Sequence, residues 1–178
     1  MQGFKVDSAG FGGYQTTFTL PADWQGKQVK LRFDGVSSES VVYLNGKEIG
    51  SHMGGMTAFE LDVTKGLKAG ENLLALRVRS ESLADMLGSL IQYAAHQLGG
   101  ITRKVTLFAV PDIHLSDLLI VTDLDDDYKD ADLKVYLSVT NSSDEIQKDV
   151  SVRLSLSGLS VVLSRHIPEI AAGSSWSG

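Results

Sequence analysis

Residues 31–64 read LRFDGVSSESVVYLNGKEIGSHMGGMTAFELDVT. Within them Val41, Val42, Tyr43 and Leu44 form a β-branched and aromatic run that fits a pleated, half-buried surface. Asn45 and Gly46 follow at once. They tolerate the positive φ values that a two-residue type I′ hairpin needs. Lys47, Glu48 and Ile49 begin the return strand. The stretch therefore reads as strand, turn, strand, Asn-Gly turn, strand, glycine loop, strand.

The same grammar extends to both sides. Upstream, Tyr14, Phe18 and Leu20 share one face, residues 21–26 (PADWQG) turn, and Val29, Leu31 and Phe33 alternate with Lys30 and Arg32. Downstream, Phe59, Leu61 and Val63 alternate with Glu60 and Asp62; after a turn at 67–72, Leu74, Leu76 and Val78 alternate with Ala75, Arg77 and Arg79. Short strands with a turn every 8–12 residues or so specify a sandwich or barrel. Residues 1–13 are glycine-rich and aperiodic, which predicts a loop. Residues 80–96 break the pattern: Leu83, Met86, Leu87, Leu90, Ile91 and Ala94 fall at helical spacing. One short helix or a partly helical connection is expected there. Gly99-Gly100 closes it, and residues 101–110 return to strand.

Pro111 marks a boundary. Beyond it the pattern gives a strand at 113–122, an acidic turn at 123–132, alternation of Leu133, Val135, Leu137 and Val139, a turn at 141–144, alternation of Val150, Val152 and Leu154, and a short strand at 160–164. Residues 171–178 (AAGSSWSG) show no pattern. A sandwich of the immunoglobulin type needs about seven strands. Residues 112–178 supply fewer, so this second all-β domain reads as cut.

Composition excludes several classes. Apolar residues make up 43% of the 178, enough for a core. No run approaches the roughly 20 apolar residues of a membrane helix, so no membrane partner is expected. The net charge of −6 is concentrated in Asp123, Asp125, Asp126, Asp127, Asp130 and Asp132, opposed by Lys129 alone. There is no basic stripe, so no nucleic-acid partner is expected. With no cysteine, disulfides and thiolate metal sites are ruled out.

The candidate chemistry is sparse. Asp123, Asp125 and Asp127 stand at positions 1, 3 and 5 of an EF-hand loop, but Tyr128 replaces its glycine and Lys134 its final glutamate. His52, His96, His114 and His166 lack zinc-ligand spacing. Residues 10–13 (GFGG) lack the strand and helix of a dinucleotide loop. No G-x-S-x-G elbow occurs. Nothing pairs Glu39, Glu48, Glu60 or Asp62. No cofactor, metal or catalytic residue is assigned. Asn141-Ser142-Ser143 matches a glycosylation sequon by pattern alone. Trp24, in a turn, and Tyr93, in the long connection, are the rings that could stack on the apolar face of a sugar. For Trp24, packing is the favoured role.

Six stretches carry a resemblance: YQTTFTLPADW (14–24), LRFDGV (31–36), VYLNGKEIG (42–50), GGMTAFELDVT (54–64), GENLLALRV (70–78) and GGITRKVTL (99–107). In order and spacing the chain resembles the N-terminal region of glycoside hydrolase family 2, the β-galactosidase, β-glucuronidase and β-mannosidase group. The resemblance implies a jelly-roll sugar-binding domain over residues 1–111, lacking its first strand, because Met1-Gln2-Gly3 looks like the middle of the family's Trp-Glu-x-Gln-Gly. It implies an incomplete immunoglobulin-like β-sandwich over 112–178. It also implies a downstream (β/α)₈ barrel carrying two catalytic glutamates about 5–5.5 Å apart in a retaining mechanism, neither present here. A β-linked glycoside is the implied substrate, with a homo-oligomer as an open partner and a periplasmic or secreted location expected, a cytoplasmic one being the alternative. The expected function is thus a non-catalytic N-terminal fragment of a retaining exo-β-glycosidase, β-galactosidase-like. The alternatives are a free-standing carbohydrate-binding module, or a β-glucuronidase or β-mannosidase fragment.

The chain departs from the group in two places. Gln15 stands where arginine is frequent, and residues 80–98 replace an acidic, tryptophan-containing loop that reaches the active site. If this connection approaches a barrel mouth, Asp85, Tyr93, His96 and Gln97 are the polar residues expected to contact substrate.

Overall fold

The computed structural model describes residues 2–6 (backbone), 10–55, 57–79, 82, 99–158 and 162–178. They divide into two compact units, Met1–Ala109 and Val110–Gly178.

The first unit is a sandwich of two antiparallel sheets. One has five strands: β1 (Gln2–Val6), β2 (Phe11–Thr19), β5 (Glu39–Leu44), β6 (Lys47–Met53) and β8 (Glu71–Arg79), in the order β1-β2-β8-β5-β6. The facing sheet runs β10 (Val105–Val110), β3 (Gln28–Phe33), β7 (Phe59–Asp62). A short pair, β4 (Val36–Ser37) with β9 (Gly100–Ile101), lies at one end. The alternating apolar residues point inward as the sequence requires. Val29, Leu31 and Phe33 from one sheet meet Val42, Leu44, Leu74, Leu76 and Val78 from the other, all fully or nearly buried. Burying each such side chain contributes about 1.5–3 kcal/mol. Trp24, on the short 3₁₀ turn Ala22–Trp24, packs against this core.

The hairpin that opened the reading is built as its turn residues dictate. Asn45 and Gly46 have φ of 53° and 83°. The Asn45 side chain does more than allow the turn. Its Nδ2 donates to the Gly66 carbonyl and to Asn72 Oδ1, both at 2.9 Å, and its Oδ1 accepts from the Leu73 amide at 3.0 Å. Asn72, fully buried, in turn donates to the Lys68 and Gly70 carbonyls. The turn between β5 and β6 and the turn before β8 are thereby tied together.

Residues 2–6 and 11–13 are not the loop that the composition of 1–13 predicts. Gln2–Val6 pairs with the first half of β2, Val6 opposite Gly12 and Lys5 opposite Gly13. Gly12 and Gly13 do not interrupt β2, because Gly12 faces Val78 and Gly13 faces Arg77 on the central strand β8. Neighbouring backbone, not local propensity, sets this strand. The connection at 80–96, expected to be partly helical, lies outside the described residues apart from Ser82.

The second unit has a three-stranded sheet, β11 (Ile113–Leu124), β12 (Ala131–Asn141) and β15 (Ser175–Ser177), and a two-stranded one, β13 (Gln147–Ser155) with β14 (Val162–Ile170). The two pack around Leu137, Val139, Ile167 and Ile170, with Trp176 against them. Residues 171–178 thus contain a strand that the sequence pattern does not show. Three residues are too few to display alternation, and β15 is fixed by pairing Trp176 with Val139 and by bonds between Leu137 and Gly178. Asn141 is fully buried. Its Nδ2 donates to carbonyls of Glu145, Ile170 and Ala171, and its Oδ1 accepts from the Ser143 amide and hydroxyl. The sequon pattern is thus a structural clasp in this fold.

Candidate functional site

The connection at 80–98 leaves and rejoins the first sandwich at one end, and polar side chains gather there. Ser38 and Ser40 occupy inward positions at the start of β5, and both are buried. The Ser38 hydroxyl lies 2.6 Å from that of Ser82 and 3.2 Å from the Arg79 carbonyl, to which the Ser38 amide also donates. The Gly54 amide donates to the Ser38 carbonyl at 2.8 Å. The Ser37–Ser38 peptide bond is cis. Across the gap, Ser37 pairs with Gly100, whose φ of +100° places its α-carbon directly against the Tyr14 hydroxyl. Ser82 and Gly100, the points bracketing residues 83–99, are thus both fixed to the sheet. Among the described residues, the buried Ser40 hydroxyl has no partner.

His52 stands opposite Ser40 on β6. Its ring stacks on Phe59 at 4.2 Å between centroids, and Phe59 stacks on Phe33 at 4.8 Å. Its Nε2 is hydrogen bonded to Thr57 Oγ1 at 3.1 Å. Burial holds the imidazole pKa below its ordinary value, because the charged form loses hydration.

Three carboxylates on the strands of the first unit have side-chain partners. Glu39 lies 3.9 Å from Arg79, and Glu60 3.0 Å from Arg32. Asp62 accepts from the Thr64 hydroxyl and amide and from Gln28. Burial pushes the Asp62 carboxyl up, but these hydrogen bonds and Lys30 outweigh it and leave the pKa below the usual value. Among the described residues Asp34 and Glu60 meet through Arg32, which pairs with both at 2.7 and 3.0 Å, and no serine hydroxyl there meets a base. The described residues at this end of the sandwich form a polar anchorage.

Asp85, Tyr93, His96 and Gln97, the expected substrate contacts, lie outside the described residues. His114 bonds the Pro111 carbonyl at 3.0 Å, and His166 lies 3.8 Å from Asp149. Sequence reasoning missed the Ser38–Ser82 and Tyr14–Gly100 contacts. The available signal was two serines at inward-facing positions between apolar runs.

Residues 2–111 match the family model described as "Glycosyl hydrolases family 2, sugar binding domain". The chain belongs to glycoside hydrolase family 2. Among its relatives, a β-galactosidase of Clostridium acetobutylicum is 35% identical over 133 residues, 75% of this chain and 14% of that protein. A putative β-glucuronidase of Formosa agariphila is 33% identical over 138 residues, 78% of this chain and 16% of that protein. The crystal structure of Bacteroides uniformis β-glucuronidase superposes with a TM-score of 0.79 at 28% identity, covering 96% of this chain and 21% of that one. This family 2 chain therefore corresponds to a small N-terminal part of much larger enzymes, and its fold is the family's jelly-roll sandwich followed by immunoglobulin-like β structure.

Proposed function

We propose that this chain is the non-catalytic N-terminal part of a retaining exo-β-glycosidase, β-galactosidase-like, that braces a downstream (β/α)₈ barrel and shapes the entrance to its substrate site. The observation that carries this reading is the family match over residues 2–111 in a chain that spans only 14–16% of the relatives named above. The domain limits are read as 1–111 for the jelly roll and 112–178 for the start of the immunoglobulin-like domain. What supports the second is the inward face of β11 and β12. Leu118 pairs with Leu137 and Ile120 with Val135 on the core side, yet Leu118 and Ile120 are 45% and 52% exposed. Apolar residues at core positions call for a cover, and in the longer protein further strands provide it. Asp85, Tyr93, His96 and Gln97, outside the described residues, are the proposed substrate contacts at that entrance.

The reading predicts no hydrolysis by the 178-residue chain of aryl β-galactosides or aryl β-glucuronides. Turnover above the uncatalysed rate, abolished by heat denaturation, would contradict it.

A further inference from the structure

The outward face of the five-stranded sheet carries an arrangement that the reading above does not use. On the central strand β8, Arg77 and Arg79 point away from the core, two residues apart on the same face. Like charges so placed repel. Arg79 has a distant counterion in Glu39, on the neighbouring strand β5, at 3.9 Å. Arg77 has no carboxylate within ion-pair distance among the described residues. Both guanidinium groups instead lie over one ring, that of Phe11 on β2, with Cζ 5.5 Å and 5.8 Å from its centroid. The ring quadrupole holds the cations in place without neutralising them.

The positions around Arg77 are small. Gly13 sits beside it on β2 and Val41 on β5, while Ala75 precedes it on the same face. A side chain at Gly13 would meet nothing within 4 Å. This leaves an open notch on the side of Arg77 away from Glu39. The next positions outward are Gln15, beside Ala75 on β2, and Tyr43, beside it on β5. An unpaired guanidinium thus stands among small residues, with an amide and a phenol ring at the margin.

We propose that this face binds an anionic saccharide, the carboxylate of a uronic acid pairing with Arg77 in the notch above Gly13. A guanidinium presents two parallel N–H donors that match a carboxylate. The sugar body, with its apolar face and hydroxyls, suits the Tyr43 ring and the Gln15 amide. A sulfated sugar offers the same oxyanion chemistry. The inference does not depend on a downstream barrel. It would survive the finding that the chain is a free-standing module.

The test is a titration of the whole 178-residue chain, followed by amide and arginine side-chain NMR shifts, with methyl β-D-glucuronide, methyl β-D-galactoside, a galactose 6-sulfate and inorganic phosphate. The uronide is expected to shift the Gly13 amide and Arg77 Nε. Its affinity should fall about tenfold in Arg77→Gln, the loss of one charge-assisted pair, and similarly in Gly13→Val, which fills the notch but keeps both arginines. Arg153→Gln, which removes an exposed charge from the second unit, should leave it unchanged. The neutral galactoside should bind at least about tenfold more weakly than the uronide. A match between sulfate ester and uronide places the selectivity in the oxyanion and supports the site. Uronide binding unaffected by Arg77→Gln overturns the proposal, as does no binding. Phosphate binding as tightly as the uronide would mean an adventitious ion only, and also overturns it.

Discussion

Gly100 is a position where the fold resists replacement. Its φ of +100° disfavours any L side chain, and a β-carbon there would fall on the Tyr14 hydroxyl. Positive φ costs about 1–2 kcal/mol and overpacking a further 1–3 or so, so Gly100→Ala should destabilise the first unit by about 3 kcal/mol. The chain has two tryptophans, Trp24 in the first unit and Trp176 in the second. Urea unfolding followed by Trp24 fluorescence in a Trp176→Phe background would read that unit alone. At this scale the sequence is partly legible. The Asn45-Gly46 turn was readable because its residue types are those that adopt positive φ. Asn72 is held by the local Lys68 and Gly70 carbonyls. The partners of Asn45 and Asn141 were not legible, since the carbonyls of Gly66, and of Ile170 and Ala171, are brought in by tertiary packing. The serines at the sandwich end were invisible for the same reason.

Elements with strict alternation were read correctly because one buried face leaves the register no freedom. In β8, Asn72, Leu74, Leu76 and Val78 are buried in turn between exposed neighbours. Strands β1 and β15 escaped, the first amid glycines and the second at three residues, because pairing with β2 and β12 makes them. The expected contacts Asp85, Tyr93, His96 and Gln97 rest on residue type in a stretch without periodicity. A measurable consequence attaches to β6, β7 and β3, where His52, Phe59 and Phe33 stack. Burial lowers the His52 pKa in the folded state from 6.5. The unfolded chain therefore binds more protons in that window, and stability falls as pH drops below about 6.5 toward the folded value. His52→Phe keeps the stack and removes the titration. Its unfolding free energy should decline less than the wild type's between pH 7 and pH 5, measured by urea denaturation. Asp62 acts in a lower window. Its depressed pKa gives stability present above 3.8 and lost as pH falls further.

On the scale of the whole molecule, the fold belongs to a family of multidomain enzymes, and the chain holds about one seventh of the C. acetobutylicum relative's length. Its features suit that place. Glu39, Glu60 and Asp62 are spent on neighbouring side chains, the serines on anchoring a connection, and the second unit leaves Leu118 and Ile120 open on a core face. None of this supplies the paired carboxylates that glycoside hydrolysis needs. The proposed function therefore rests on what is joined to these two units. The most direct measurement is the coding sequence immediately after the codon for Gly178. An open frame continuing into a (β/α)₈ barrel with two glutamates at strand ends is the predicted result. A stop codon directly after Gly178 would contradict it.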